Sequence, residues 1–306
     1  MHGKKGKKPE LVYEYSMEKY NTYDSEVADN VIDFIQRRAT TDQPFYVNFW
    51  GKGNHFWGAH PDFRDTPAQT NTSAQMVEHD YNTGRIIKTL KDLGIAENTL
   101  VIWASDNGPM YTAHPHGGYS LLPGGKGETK EGGIHVPAIV WWPGMIEADQ
   151  DPLDIIQITD LFTTMASIAG ALDGIPTDRV IDGVDQSGLF LLGEGKGRRD
   201  YIFHYNRKNL EAVRKDQIKL NLKPTNPGFH FFEVYNLYHD PAERFPNELE
   251  NGIWAGPGMT KMIQEHMLQV QKYPHREPKS YYRDFDRSFD PERTPVYQPK
   301  KRVHWE

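Results

Sequence analysis

NTLVIWASDNGPMYTAHPHGGYSLLPGGKGETKEGGIHVPAIVWWPG, residues 98–144, is the stretch whose reading decides the fold. It opens on a short apolar run, TLVIW (99–103), β-branched and aromatic enough to be a buried strand. The run stops at SDNGP (105–109), where an Asp–Asn pair stands among turn residues. A loop rich in Gly and His then leads to GGKG (124–127), and the chain re-enters through EGG (131–133) into a second strand, PAIVWW (137–142), closed by Pro143 and Gly144. Ligands of open α/β sheets gather outside the carboxyl ends of strands. Asp106 and Asn107 stand at such an end, and the loop can carry Lys126 over it. A hard cation beside an anionic group suits that place.

Outward from this stretch the pattern alternates. Asp24 can cap a helix with Val27, Val31, Phe34 and Ile35 at helical spacing. PFYVNFW (44–50) reads as a buried strand, followed by the loop GKGNHFWGAHP (51–61) at its carboxyl end. A helix over 73–93 would present Val77, Gly84, Ile87 and Leu90, with Gly94 as its stop. Strand, helix, strand with polar loops at one end is the pattern of a parallel α/β unit. Residues 155–169 form a further helical pattern, with Ile158, Leu161, Phe162, Met165 and Ile168 recurring at three and four. GKGRRD (195–200) marks a boundary, which predicts domains over 1–196 and 197–306. Beyond it the period shifts toward two, in 201–204, 211–214, 218–222 and 229–237, as in a small antiparallel sheet. A last helix over 259–270 carries Met259, Ile263, Met267 and Val270, and the tail from Pro274 is extended.

Composition narrows the function classes. With 306 residues the chain can bury a sizeable core. Its 35 basic and 42 acidic residues give a net charge of −7, without the basic stripe of a nucleic-acid binder. Cysteine is absent, which removes disulfides, thiolate metal sites and a cysteine nucleophile. No apolar run approaches the ~18 residues of a membrane helix, and no export signal follows Met1.

Six pieces, PFYVNF with NH (44–49, 54–55), LGIAENTLVIWASDNG (93–108), GGKGETKEGGIHVPAIVWWPG (124–144), ITDLFTTMASIAG (158–170), DRVIDGVD (178–185) and VYNLYHDPAE (234–243), occur in one order. Together they resemble the C-terminal two-thirds of a type I sulfatase, of the alkaline-phosphatase superfamily. The resemblance implies an α/β sandwich with a central mixed sheet, plus a small C-terminal antiparallel sheet with a helix. It implies cleavage of sulfate esters, on a small molecule or a sulfated glycan, with a divalent cation, Ca2+ rather than Mg2+. A periplasmic, secreted or lysosomal location goes with it. Family members also carry an N-terminal aspartate pair and a Cys-x-Pro-x-Arg motif whose Cys (sometimes Ser) becomes formylglycine. Neither that motif nor a Ser version of it is present here. Met1 then corresponds to an internal point of a complete sulfatase, the chain reads as a fragment, and isolated it is expected to be inactive.

Each candidate has a plain structural reading beside the functional one. Asp106, Asn107 and Gly108 can be a strand-end turn. The resemblance makes Asp106 and Asn107 metal ligands, and oxygen donors suit a hard cation. His55 can be an ordinary loop histidine. The resemblance gives it contact with the ester, where it could protonate the leaving oxygen. Lys126 can be a mobile surface cation, and the resemblance has it hold sulfate oxygens. His114 and His116, two apart, can chelate a metal or merely face water, and contact with the substrate is the reading preferred for them. Asp80 reads as a helix carboxylate. A phosphoesterase or phosphonate hydrolase of the same superfamily, and a non-catalytic module that binds an anion or a partner, are the competing functions.

Overall fold

The computed structural model describes residues 14, 16–52, 58–66, 70–113, 117–222, 233–246 and 249–274. Two compact units divide the chain, Met1–Met259 and Thr260–Glu306. Among the described residues the first holds six strands and five complete α-helices.

Helix α1 runs over Met17–Ala39 and begins at Ser16, whose side chain accepts a hydrogen bond from the Lys19 amide. The sequence placed the cap at Asp24. That carboxylate instead lies inside the helix and buried, where it accepts from the Lys52 amide at 2.8 Å. Val31 and Ile35 supply the apolar face and pack with Leu90 of α2 (Asn71–Asp92). Phe45, Val47, Phe49, Ile86, Ile95, Ala96, Val101 and Trp141 complete this core. The segment 44–50 thus has the alternation of a strand, with Tyr46 and Trp50 turned outward at 68% and 76% exposure. It joins no ladder among the described residues.

The inner face of α2 is more polar than its hydropathy suggests. Ala74, Gln75, Glu78, Asn82 and Leu90 are buried, while Val77 and Gly84 are exposed. Ser25 donates to Glu78 at 2.8 Å, and Asn82 donates to Ser25 at 3.3 Å. Asp80 is exposed, and the carboxylate turned inward is that of Glu78.

Strands β1 (Val101–Ala104) and β2 (Ala138–Trp141) pair antiparallel, Val101 opposite Trp141 and Ala104 opposite Ala138. The strand–helix–strand pattern concerned 44–50, 73–93 and 99–103, and 44–50 pairs with no strand among the described residues. Parallel pairing needs a crossover to the far end of the sheet. The connection over 105–137 leaves and returns at the same end, and among its described residues the one α-helical turn is the four-residue helix α3 (Glu131–Ile134).

Helix α4 (Asp160–Ile168) is shorter than the 155–169 expected, and its buried residues are Asp160 and Thr164. Ile158 and Phe162 of the apolar series are exposed. Asp160 accepts from Arg199 Nε at 2.8 and 3.0 Å, from the Val184 amide at 2.8 Å and from the Gln157 amide at 2.9 Å. Arg199 also donates to the carbonyls of Asp182 and Tyr201. This buried pair ties α4, the turn before α5 (Ser187–Leu192) and the start of the second sheet together.

That sheet is a meander, β3 (Tyr201–Asn206), β4 (Asn209–Lys215), β5 (Ile218–Asn221) and β6 (Glu233–Asn236), antiparallel throughout and in chain order. The period-two reading is upheld, and Val234, Tyr235 and Leu237 are buried as it requires, with Phe231 outside the described residues. Two-residue turns at 207–208 and 216–217 close its first two hairpins, with Arg207 and Asp216 at positive φ. Helix α6 covers Leu249–Lys272, beyond both ends of the expected 259–270. Met259 is buried and Met267 exposed. Among the described residues no helix is long and apolar enough to cross a membrane.

Candidate functional site

The loop after β1 is built backbone against backbone. The Ser105 amide donates to Pro137 O at 3.2 Å and the Gly108 amide to Gly133 O at 3.0 Å. The Lys126 amide donates to Pro109 O at 2.9 Å, and the Gly132 amide to Pro123 O at 2.7 Å. Glycine permits this approach. A Cβ on Gly108 would overlap the Gly132 carbonyl, and a Cβ on Gly132 would overlap the carbonyl oxygens of Leu122, Pro123 and Gly124. Residues 105–109 and 123–133 are thereby laid side by side at the carboxyl end of β1.

Asp106, Asn107 and Lys126 all belong to this cluster. Asn107 donates its side-chain N–H to Gly108 O at 3.0 Å, its amide oxygen accepts no hydrogen bond among the described residues, and its own carbonyl accepts from Ser105 Oγ at 2.9 Å. The Asp106 carboxylate and the Lys126 ammonium are exposed and make no hydrogen bond or ion pair among the described residues. One ionised carboxylate oxygen pair and one amide oxygen are hard donors, the type Ca2+ and Mg2+ take. Their chemistry fits the cation that the sequence implies, although no group of three or more acidic or His side chains gathers among the described residues. His55, His114 and His116 lie outside the described residues.

Lys52, three residues before His55 in sequence, is held by a charged cluster. Lys52 donates to the Asn21 carbonyl at 3.4 Å, and its ammonium stands 3.8 Å from Asp24 and 4.0 Å from Glu78. It also lies 5.2 Å from the centre of the Tyr20 ring.

A second buried cluster joins the Lys126 loop to the meander. Lys219 of β5, with no exposed surface, donates to Thr129 O at 2.7 Å and to Glu131 Oε1 at 3.0 Å. Its ammonium also lies 2.9 Å from Glu243 Oε1, off the hydrogen-bonding direction, so that contact is one of charge. The other oxygen of Glu243 accepts from the Glu131 amide at 2.9 Å, and Thr129 Oγ1 donates to Glu211 at 3.2 Å. Arg214 and His135 each approach Glu131 Oε2 to 3.6 Å. Burial alone would raise the Glu131 pKa. The His135 hydrogen bond, the Lys219 ammonium and Arg214 outweigh it and hold the carboxyl at about 2. Nearby His204 is pushed down to about 3, first by burial and then by the Lys219 charge, with Glu131 opposing and Arg214 adding. None of these residues stood out in the sequence, because the partners of Lys219 are 88 and 90 positions away along the chain.

The layered helices, the short central pair and the strand-end loop define an α/β fold of the alkaline-phosphatase-like type. The chain belongs to the sulfatase family, whose model, named Sulfatase, matches residues 5–171. N-acetylgalactosamine-6-sulfatase of Mus musculus is 33% identical over 271 residues, which cover 78% of this chain and 51% of that protein. Arylsulfatase A of Homo sapiens is 36% identical over 265 residues, 78% of this chain and 50% of the relative. Among solved structures, the PsFucS1 sulfatase from Pseudoalteromonas sp. superposes with a TM-score of 0.82 at 31% identity, over 90% of this chain and 58% of that one. The chain therefore spans about half the length of the curated relatives it matches.

Proposed function

We propose that the strand-end loop is the sulfate-binding half of a metal-dependent sulfuric ester hydrolase site. Asp106 and Asn107 would hold the cation, Ca2+ rather than Mg2+, and Lys126 would bind the sulfate oxygens, with His55 on the ester oxygen and His114 and His116 on the rest of the substrate. The observation that carries this reading is the Lys126 amide bonded to Pro109 O. It sets the backbone of Lys126 beside Pro109, three residues after Asp106, in a chain of the sulfatase family.

Bound, the cation would supply Lewis-acid charge to a sulfate oxygen. The protein side chains do the rest. Lys126 neutralises anionic oxygens and orients them, and a rigid backbone holds it there without reorganisation during reaction. These 306 residues contain no cysteine from which a formylglycine could form. The natural ester is proposed to be a sulfated sugar or other small sulfate ester, in keeping with the relatives' names.

Calorimetric titration with inorganic sulfate, with and without Ca2+, tests the reading. Sulfate should bind more tightly when Ca2+ is present. Lys126→Ala should weaken sulfate in both conditions, whereas Asp106→Ala should abolish only the gain from Ca2+. An aryl sulfate should show no enzymatic turnover by the 306 residues alone. Sulfate affinity indifferent to Lys126 and to Ca2+ would overturn the assignment.

A further inference from the structure

We infer that Lys219 is a positioning residue for the sulfate site, holding the Lys126 loop from the neighbouring sheet. The inference rests on the reading of Lys126 given above. The loop between Lys126 and β2 has little regular structure, since α3 is one turn long. Its fixed points are therefore the bonds it makes outward. Two of them lie within five residues of Lys126, at Thr129 O and at the amide and carboxylate of Glu131. All three end on Lys219 or on Glu243.

The charges are arranged to make that hold specific. Lys219 and Arg214 face Glu131 and Glu243, two positive groups against two negative, while burial keeps His204 neutral. A buried ammonium with both carboxylates and a carbonyl at 2.7–3.0 Å has one geometry that satisfies it. Any slide of the loop along β5 would break a charge-assisted bond in a site without water access. Lys126 itself touches none of these groups and remains at the surface. The arrangement therefore separates two lysine roles: one cation meets the anion, and a second, 93 residues later in the chain, fixes where the first one stands.

The test is native-state hydrogen exchange together with inorganic sulfate titration on the full chain. In Lys219→Met, amides of Lys126, Glu128, Gly132 and Gly133 should exchange at least a hundredfold faster, while Leu90 in the helical core keeps its protection. Sulfate affinity should fall at least tenfold. A lysine needed only for stability would lower protection everywhere and leave the affinity of the folded fraction unchanged, which overturns the inference. Should Lys219→Met fail to fold, Glu243→Gln decides. It keeps an acceptor for the Glu131 amide and removes only the charge, so exchange in the same loop should rise at least tenfold, and unchanged exchange there overturns the proposal. If Lys126→Ala leaves sulfate binding intact, the sulfate reading fails by itself, and the exchange data still decide whether Lys219 holds the loop.

Discussion

Acidification should weaken this fold through His204 before Glu131 titrates. The imidazole lies on β3, buried, with Nε2 unpartnered among the described residues. Burial first, then the Lys219 ammonium and Arg214, against the pull of Glu131, lower its pKa from 6.5 to about 3. A group whose folded pKa is depressed stabilises above its unfolded pKa, and here the loss begins as pH falls below 6.5 and continues to about 3. Between pH 7.5 and 5 a single group of this kind contributes a loss of about 2 kcal/mol, within a full span of about 5 kcal/mol. Glu131 adds nothing in that window, because its own contribution is lost only as pH falls from 4.5 to about 2. Urea denaturation followed by tryptophan fluorescence at pH 7.5, 6.5, 5.5 and 5 would read the slope, with His204→Leu as reference. The wild-type protein should lose about 2 kcal/mol more than His204→Leu between pH 7.5 and 5. The imidazole carbon resonances of His204 should not move over the same range. A titration midpoint near 6.5 in the folded protein, or parallel pH slopes in the two proteins, would refute the reasoning.

Two further perturbations follow from the packing. Arg199→Ala strands the Asp160 carboxylate, which has no exposed surface, and should destabilise by about 3–5 kcal/mol in chemical denaturation; a loss below about 1 kcal/mol would contradict the role given to this pair. Gly132→Ala must displace the carbonyls of three residues and should cost about 1–3 kcal/mol along with sulfate affinity. Gly84→Ala, on an exposed helical position with open space around it, should instead stabilise by about 0.5–1 kcal/mol, and equal effects of the two substitutions on melting would refute the packing account.

Local chemistry made the centre of this chain legible. The apolar runs around 101–104 and 138–141, the glycines between them and the Asp–Asn turn each specify their structure within a few residues, and the loop lies where that reading puts it. The period-two pattern after residue 200 found the meander for the same reason. The helical faces were misread where burial is polar. Glu78 and Asn82 on α2, and Asp160 and Thr164 on α4, point inward because Ser25, Arg199 and the Gln186 amide satisfy them, partners from 22 to 57 residues distant. Hydropathy alone turns such a helix the wrong way round. Lys219 was invisible for a related reason. IKLN (218–221) reads as a strand with one wet face, yet β5 sits between β4 and β6 and is covered on both sides.

The wide separation in sequence of Glu131 from Lys219 and Glu243 has a consequence for synthesis. Glu131 leaves the ribosome 88 residues before Lys219 and 112 before Glu243. At typical elongation rates of about 5–20 residues per second, the glycine-rich loop waits roughly 5–20 s for the groups that seat it. During that interval its carboxylate has His135 beside it but neither Lys219 nor Arg214, and its backbone is open to any protease or chaperone that meets it. The meander, by contrast, closes its first hairpins across two-residue turns as soon as they emerge. Translation speed through codons 131–243 is therefore a variable to which the yield of native protein should be sensitive, and the loop is the place where misfolded nascent chains should first be cut.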